Sequence, residues 1–349
     1  MKLVRLLMAP AALGLLIVVA TVAQITSPAG TRMTDAAANF RDGLTAEQKA
    51  KAVFPFDSPE RLRWAFVPLQ DAQKRPTRKG LRFEEMTAPQ REAALALLQA
   101  GTSERGYQQA TTIMSLESIL RELEKGGGNV RNPGWYFVTL FGTPAKTGKW
   151  GWRIEGHHLS LNYVIADALV AAATPAFFGA NPATVRDGAR QGLRAIPDVD
   201  DLARDLFRSL DDTQRQLAEQ PAEKLPRKLF PEVDAHEAAK VGEPQGLSAA
   251  KMNEKQRATL DKLIHAYIDR LPGDVARSEL DRIQQAGPDK IYFAFAGGTD
   301  QGQPHTYRLQ GPTFVAEFLN IQEDSAKNPA NHIHSAWRHL PKDFGLGTE

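Results

Sequence analysis

Two well-separated stretches of this chain share one pattern of apolar and polar positions. GLRFEEMTAPQR begins at residue 80 and GLSAAKMNEKQR at residue 246, and both read G-L-x4-M-x3-Q-R. Each contains a helix start signal, with Thr87 three residues before Gln90 and Asn253 three residues before Gln256. Such a pair forms a capping box, in which two side chains satisfy backbone N–H groups at the helix start. Apolar residues then recur at helical spacing: Leu95 and Leu98 in the first stretch, Leu260, Leu263 and Ile264 in the second. A second helix follows in the first stretch, SERGYQQATTIMSLESILRELEKG, which Gly126 ends.

The period then changes. YFVTLFGTPAKTGKWGWRIEG, from residue 136, and YFAFAGGTDQGQPHTYRLQG, from residue 292, each read as strand, Gly-containing turn and strand. Arg153 and Gly156 in the first correspond to Arg308 and Gly311 in the second. Two blocks matching in the same order predict a duplicated unit, and so long a period excludes a solenoid. The expected fold class is α+β, with internally duplicated helix-helix-β-hairpin units around an antiparallel sheet or a pseudo-twofold axis. Pseudo-repeat one covers about residues 80–165 and pseudo-repeat two about 246–321. A His-rich strand at 331–338 completes a single duplicated domain over 24–349.

Composition narrows the class. Of 349 residues, 42% are hydrophobic and 24% charged, which is enough apolar mass for a large core. The net charge of +2 is accounted for by Lys2 and Arg5, so the rest of the chain is balanced. That balance argues against nucleic acid as a partner, which would call for a basic stripe. Lys2 and Arg5 precede the apolar run LLMAPAALGLLIVVA, and small residues end at Ala23. Residues 1–23 therefore read as a signal peptide, and the protein as periplasmic or secreted. The alternative is an uncleaved anchor, which would be the only membrane contact. The chain has no cysteine, so disulfides, thiol chemistry and thiolate metal sites are excluded.

The candidate chemistry lies in two His-bearing stretches. RIEGHHLSLN runs from Arg153 to Asn162, and NHIHSAWRHLPKDFG from Asn331 to Gly345. On a strand His332 and His334 share a face, a common way to present two imidazoles to one metal ion. Strand alternation would put Arg153, Glu155 and His157 on one face and His158 on the other. Both imidazoles of the pair could then reach one site only if Gly156 carried a bulge. Without cysteine, His157 or His158 together with His332 and His334 suits an imidazole site for zinc, copper or iron. Glu155 is expected as a fourth ligand or as general base on a metal-bound water. Arg153 would steady an anionic group or pair with Glu155. His305, Asn162, Asn331, Glu317 and Asn320 are expected to surround and orient the imidazoles. The leading expectation is an exported metal-dependent enzyme, hydrolytic by default, acting on a small molecule. The alternatives are a copper or iron oxidoreductase, and a non-catalytic periplasmic metal- or ligand-binding protein. GGGN, from residue 126, lacks the Lys-Ser/Thr of a phosphate-binding loop and reads as a helix end and loop.

With EGHHLSLN, TPAFFGANPATVRDG, HTYRLQGPTF and NHIHSAWR…DFG in order, the chain resembles a bacterial family of exported proteins catalogued as a domain of unknown function. The resemblance covers nearly the whole mature chain. It implies secretion and a shared site, and it implies no reaction.

Overall fold

The structure, a computed structural model, describes residues 28–125, 127–221, 239, 241–340 and 342–346. The signal peptide expected over residues 1–23 lies outside the described residues. Among them are eight α-helices: α1 (Ala29–Asp42), α2 (Ala46–Ala52), α3 (Ala88–Ala100), α4 (Glu104–Glu124), α5 (Pro197–Arg208), α6 (Asp212–Ala218), α7 (Glu254–Ile268) and α8 (Gly273–Ala286). None is long and apolar enough to cross a membrane. Strands β1 to β7 are Val53–Phe54, Leu81–Arg82, Phe137–Phe141, Lys149–Gly156, Leu159–Ala166, Leu169–Ala172 and Ala176–Ala180. Strands β8 to β12 are Leu247–Ser248, Tyr292–Gly297, His305–Gln310, Phe314–Gln322 and His332–His339.

The fold class is α+β, and all twelve strands join one sheet in the order β1-β3-β4-β5-β7-β12-β11-β10-β9-β8. β2 pairs with β3, and β6 with β5, off that path. The sheet is mixed rather than purely antiparallel, because β1 runs parallel to β3. Everything before residue 181 contributes strands to one side of the β7–β12 pair, and everything after it to the other.

The expected capping boxes form. The Thr87 amide donates to Gln90 Oε1 at 2.9 Å, and the Asn253 amide to Gln256 Oε1 at 2.9 Å. Two further boxes, Thr45 with Gln48 and Asp211 with Gln214, open the short helices α2 and α6. The boxes are tied in pairs. Gln48 Nε2 donates to Gln90 Oε1 at 3.0 Å and to the Glu85 carbonyl at 2.9 Å. Gln214 Nε2 donates to Gln256 Oε1 at 2.9 Å and to the Lys251 carbonyl at 2.8 Å. The same contacts thus occur once on each side of the sheet. The expected long helix also forms as α4, but Lys125, with φ +48°, ends it in the left-handed conformation.

Alternation along the strands separates two faces. Trp152 and Ile154 of β4, Leu161 of β5 and Phe178 of β7 join one large apolar cluster with the helix residues Leu97, Ile113 and Leu263. The opposite face carries a much smaller cluster of Trp64, Phe66, Phe177, Leu319, Ala336 and Phe344. Buried polar residues such as Arg153, Glu155, Ser160 and Glu317 alternate with the strand residues of the large cluster. Helices therefore build the core on one face, and the buried polar residues of β4, β5 and β11 lie on the other.

Two corresponding glycines fit this core closely. A Cβ on Gly156 would lie 2.4 Å from Tyr136 Cδ1, and one on Gly311 would lie 2.7 Å from Phe314 Cε1. Both aromatic rings are fully buried and cannot swing out to solvent. Gly156→Ala and Gly311→Ala should each destabilise the protein by about 1–3 kcal/mol, the usual range for overpacking. Urea unfolding would check this, and midpoints equal to wild type for both variants would refute the packing described here.

Candidate metal centre

The His157–His158 pair is not part of a strand. β4 and β5 pair in register up to Gly156 opposite Leu159, with no bulge at Gly156. His157 and His158 are the two-residue turn between them. The reversal comes from His158 itself, whose φ of +61° is left-handed. Simple alternation therefore stops at Gly156, and the turn aims the two rings at different partners.

His158 points at the H-x-H strand. Its Nε2 lies 2.8 Å from His332 Nε2 and 3.2 Å from His334 Nε2, and those two nitrogens are 3.1 Å apart. These three residues form the one group of potential metal ligands found among the described residues. Hydrogen bonding cannot satisfy the triangle. A neutral Nε2 offers either one hydrogen or one lone pair, so at least one of the three pairs must set two like groups against each other. A cation between them removes the conflict. An ion about 2.0–2.1 Å from three tetrahedral ligands spaces them roughly 3.3 Å apart, close to what is seen.

Local geometry holds this arrangement in place. β11 carries a bulge between Leu319 and Gln322, opposite His334 and His332. Asn320, inside the bulge, turns its Oδ1 to accept from the His332 backbone N–H at 3.1 Å. The side chain thereby supplies an acceptor where the bulge disrupts the ladder. The His158 backbone is held on both sides, with its N–H donating to the Phe66 carbonyl and its carbonyl accepting from Gly179 N–H, both at 2.8 Å. Gly179 faces His334 across the β7–β12 ladder. A Cβ there would lie 3.0 Å from His158 Cδ2 and 2.7 Å from the Ile333 carbonyl oxygen, so only glycine leaves room for the ring. Phe66 and Phe177 stack at 3.8 Å and present their edges or faces to His334 at 5.5 and 5.6 Å.

His157 turns the other way. Its ring stacks on His158 at 3.8 Å, and its Nδ1 meets the buried Glu117 of α4 in a short contact. Arg131 Nη1 is 3.3 Å from the same nitrogen. One nitrogen cannot both donate and accept, and the carboxylate favours Nδ1–H donating to Glu117. Arg131 is in turn held by Glu124, at 2.8 and 2.9 Å. The Tyr136 hydroxyl donates to the His157 carbonyl at 2.8 Å.

Burial keeps the three clustered imidazoles neutral. Desolvation is the main cause for each, and it drives His158 and His332 well below the usual histidine value. His334 is lowered to about 3, again mainly by burial, with His157 adding repulsion. Neutral imidazole is the form that ligates metal.

The remaining expected residues sit elsewhere. Glu155 is not in the imidazole group. Its Oε1 faces Arg78 Nε at 3.3 Å and Arg153 Nε at 3.2 Å, and its Oε2 accepts from the Ala65 N–H at 3.1 Å. Both oxygens are committed, so the carboxylate anchors the 60–67 segment instead of facing a metal-bound water. Arg153 is fully buried and spans from Glu155 to Glu60, which it meets at 2.7 Å. Asn162 donates to the Pro175 carbonyl at 2.9 Å. His305 pairs with Asp200 at 3.0 Å, and Glu317 accepts from Arg308 Nε at 2.8 Å. Asn331 acts on the site only through the backbone. It accepts from Thr184 N–H at 2.8 Å and donates to Asp324 at 2.6 Å, fixing the entry to β12. The residues that brace the imidazoles, Phe66, Glu117, Arg131, Gly179 and Asn320, are far apart in the chain. Only Asn320 had a sequence signal, as a polar residue on a strand close to the H-x-H segment.

A family model described as a protein of unknown function, DUF3500, matches residues 27–346. No curated protein and no solved structure matches the chain.

The depressed imidazoles have a measurable consequence. In the unfolded chain a histidine titrates near 6.5, whereas His334 does so only at about 3 when folded. Between those values the unfolded state binds more protons, so stability falls as pH falls. Chelated, metal-free protein should therefore lose unfolding midpoint between about pH 7 and pH 5, and a His332→Gln/His334→Gln variant should lose less. Equal pH slopes for the two proteins in urea titrations would overturn this assignment.

Proposed function

We propose that this chain, which belongs to the DUF3500 family over residues 27–346, holds a divalent transition metal on His158, His332 and His334 and uses it as a metal-dependent enzyme. The observation that carries the reading is the triangle of three Nε2 atoms at 2.8, 3.1 and 3.2 Å with no carboxylate in the group. Three neutral ligands leave an ion its full double charge. Catalytic zinc sites are commonly built in this way, with three protein ligands and one position kept for water or substrate. A divalent ion there supplies a Lewis acid, which suits a hydrolytic reaction. The chain's own residues supply the setting. Burial keeps the ligands unprotonated, the Phe66–Phe177 stack excludes water beside His334, and the partial exposure of His332 and His334 leaves an approach.

A copper or iron oxidoreductase is the second reading. It is favoured by the same all-nitrogen donor set, which suits those metals as well as zinc. Export through residues 1–23, and descent of the two sides of the sheet from a duplicated unit, belong to this proposal too. The first is supported by the basic and apolar character of that segment, and the second by the recurring glutamine contacts.

Elemental analysis of tag-free protein, incubated with zinc, copper or iron(II) and desalted, tests the reading. It should find about one equivalent per chain, with affinity lost at least tenfold in His332→Ala. Less than about 0.1 equivalent of every metal would overturn it. The metal retained decides between hydrolysis and redox chemistry, and comparing turnover of wild type with His332→Ala separates an enzyme from a binding protein.

A further inference from the structure

The loop after α4 does more than end a helix. Residues 127–132, with Lys74, Arg121 and Glu124, line a cavity of about 300 Å³. Among these lining groups Arg131 is paired with Glu124. Lys74 and Arg121 carry no carboxylate partner among the described residues, so the cavity has two uncompensated positive charges. Lys74 is also held at φ +59°, in the left-handed region, at the tip of a tight turn. Gly128, at φ +70°, runs the loop along the wall without a side chain.

This cavity adjoins the metal centre. Arg131 lines it and stands 3.3 Å from His157 Nδ1, and the His157 ring stacks at 3.8 Å on His158. Two side chains, Arg131 and His157, therefore separate the cavity from a proposed ligand. Ser325, on the segment leading to β12, donates to Glu124 at 2.9 Å and joins the cavity to the H-x-H strand.

Resting on the metal-dependent reading above, we propose that this cavity, beside the imidazole group, is a binding subsite for a small oxyanion, whose phosphate or carboxylate group binds Lys74 and Arg121. Arginine and lysine are the side chains that bind such groups best in water, and excess positive charge in a concave site concentrates anions. The volume is at the small end for ligand cavities, which favours a compact ligand over a polymer.

Calorimetric titration of the full chain with inorganic phosphate and, separately, with citrate tests this in both metal-free and zinc-incubated protein. One of the two probes should bind, and the one that binds identifies the head group. Lys74→Gln/Arg121→Gln, both on the exposed surface, should weaken binding at least about tenfold with unchanged metal content. Absence of binding for both probes up to about 20 mM, or equal affinity in the double variant, would overturn the proposal. Loss of phosphate binding only in His332→Ala would also overturn it, since the anion would then be sitting on the metal. Anion binding that persists in protein unable to hold any metal would leave the cavity assignment standing and remove the metal reading alone.

Discussion

The pairing of β7 with β12 is the interaction on which the rest depends. Among the described residues it is the one ladder joining the two sides of the sheet, running from Ile333 opposite Ala180 to Trp337 opposite Ala176. Ser335 reinforces it by donating to the Phe178 carbonyl at 2.7 Å. At its end, Ala183 N–H donates to the Asn331 carbonyl and Asn331 grips Thr184. His158 belongs to one side of this seam and His332 and His334 to the other. The imidazole group therefore exists only while the seam is closed, and an ion bound by all three would be a second link across it, coupling metal binding to the stability of the whole sheet.

The charges near the seam form two separate systems. Deeper in the sheet, Glu155 is shared by Arg78 and Arg153, and burial lowers the Arg78 guanidinium from its usual value. Nearer the imidazoles, Glu117, His157, Arg131 and Glu124 form a chain from α4 to the loop after it. Neither system puts a carboxylate among the three Nε2 atoms. Within the second system His157 and Arg131 repel a proton on His158, and this acts in the same direction as burial. Burial and this repulsion together hold the His158 imidazole in the neutral form that ligates metal.

Much of this was legible in the sequence, where side-chain pattern and backbone period agree. The capping boxes, the two hairpins and the H-x-H strand all follow from local rules, and so did the pairing of one early histidine with His332 and His334. The turn was not legible. A two-residue reversal favours Asn or Gly in the left-handed position, and His-His reads as a continuing strand until β5 is seen pairing back from Leu159. The role of Glu155 was misjudged for a different reason. Its neighbours Arg78 and Ala65 come from a segment without regular structure, whose path over the sheet no periodicity reveals. Glu117, Arg131 and Gly179 were missed because they reach the site only through tertiary packing.

The asymmetry between the two sides follows from the same turn. Arg308 pairs across to Glu317 as Arg153 does to Asn162, and Gly311 accommodates the Phe314 ring as Gly156 does Tyr136. Yet the second hairpin closes through Pro312 and Thr313, with Gly311 N–H bonded to the Phe314 carbonyl at 3.0 Å. That turn has the same length, but it contains a proline that cannot donate and has its Thr313 carbonyl taken by Leu340 N–H. It offers no side chain able to ligate a metal. A left-handed histidine costs about 1–2 kcal/mol where glycine would cost none. The strained residue stands at the one turn that faces His332 and His334, which is where backbone strain is found when it serves a site.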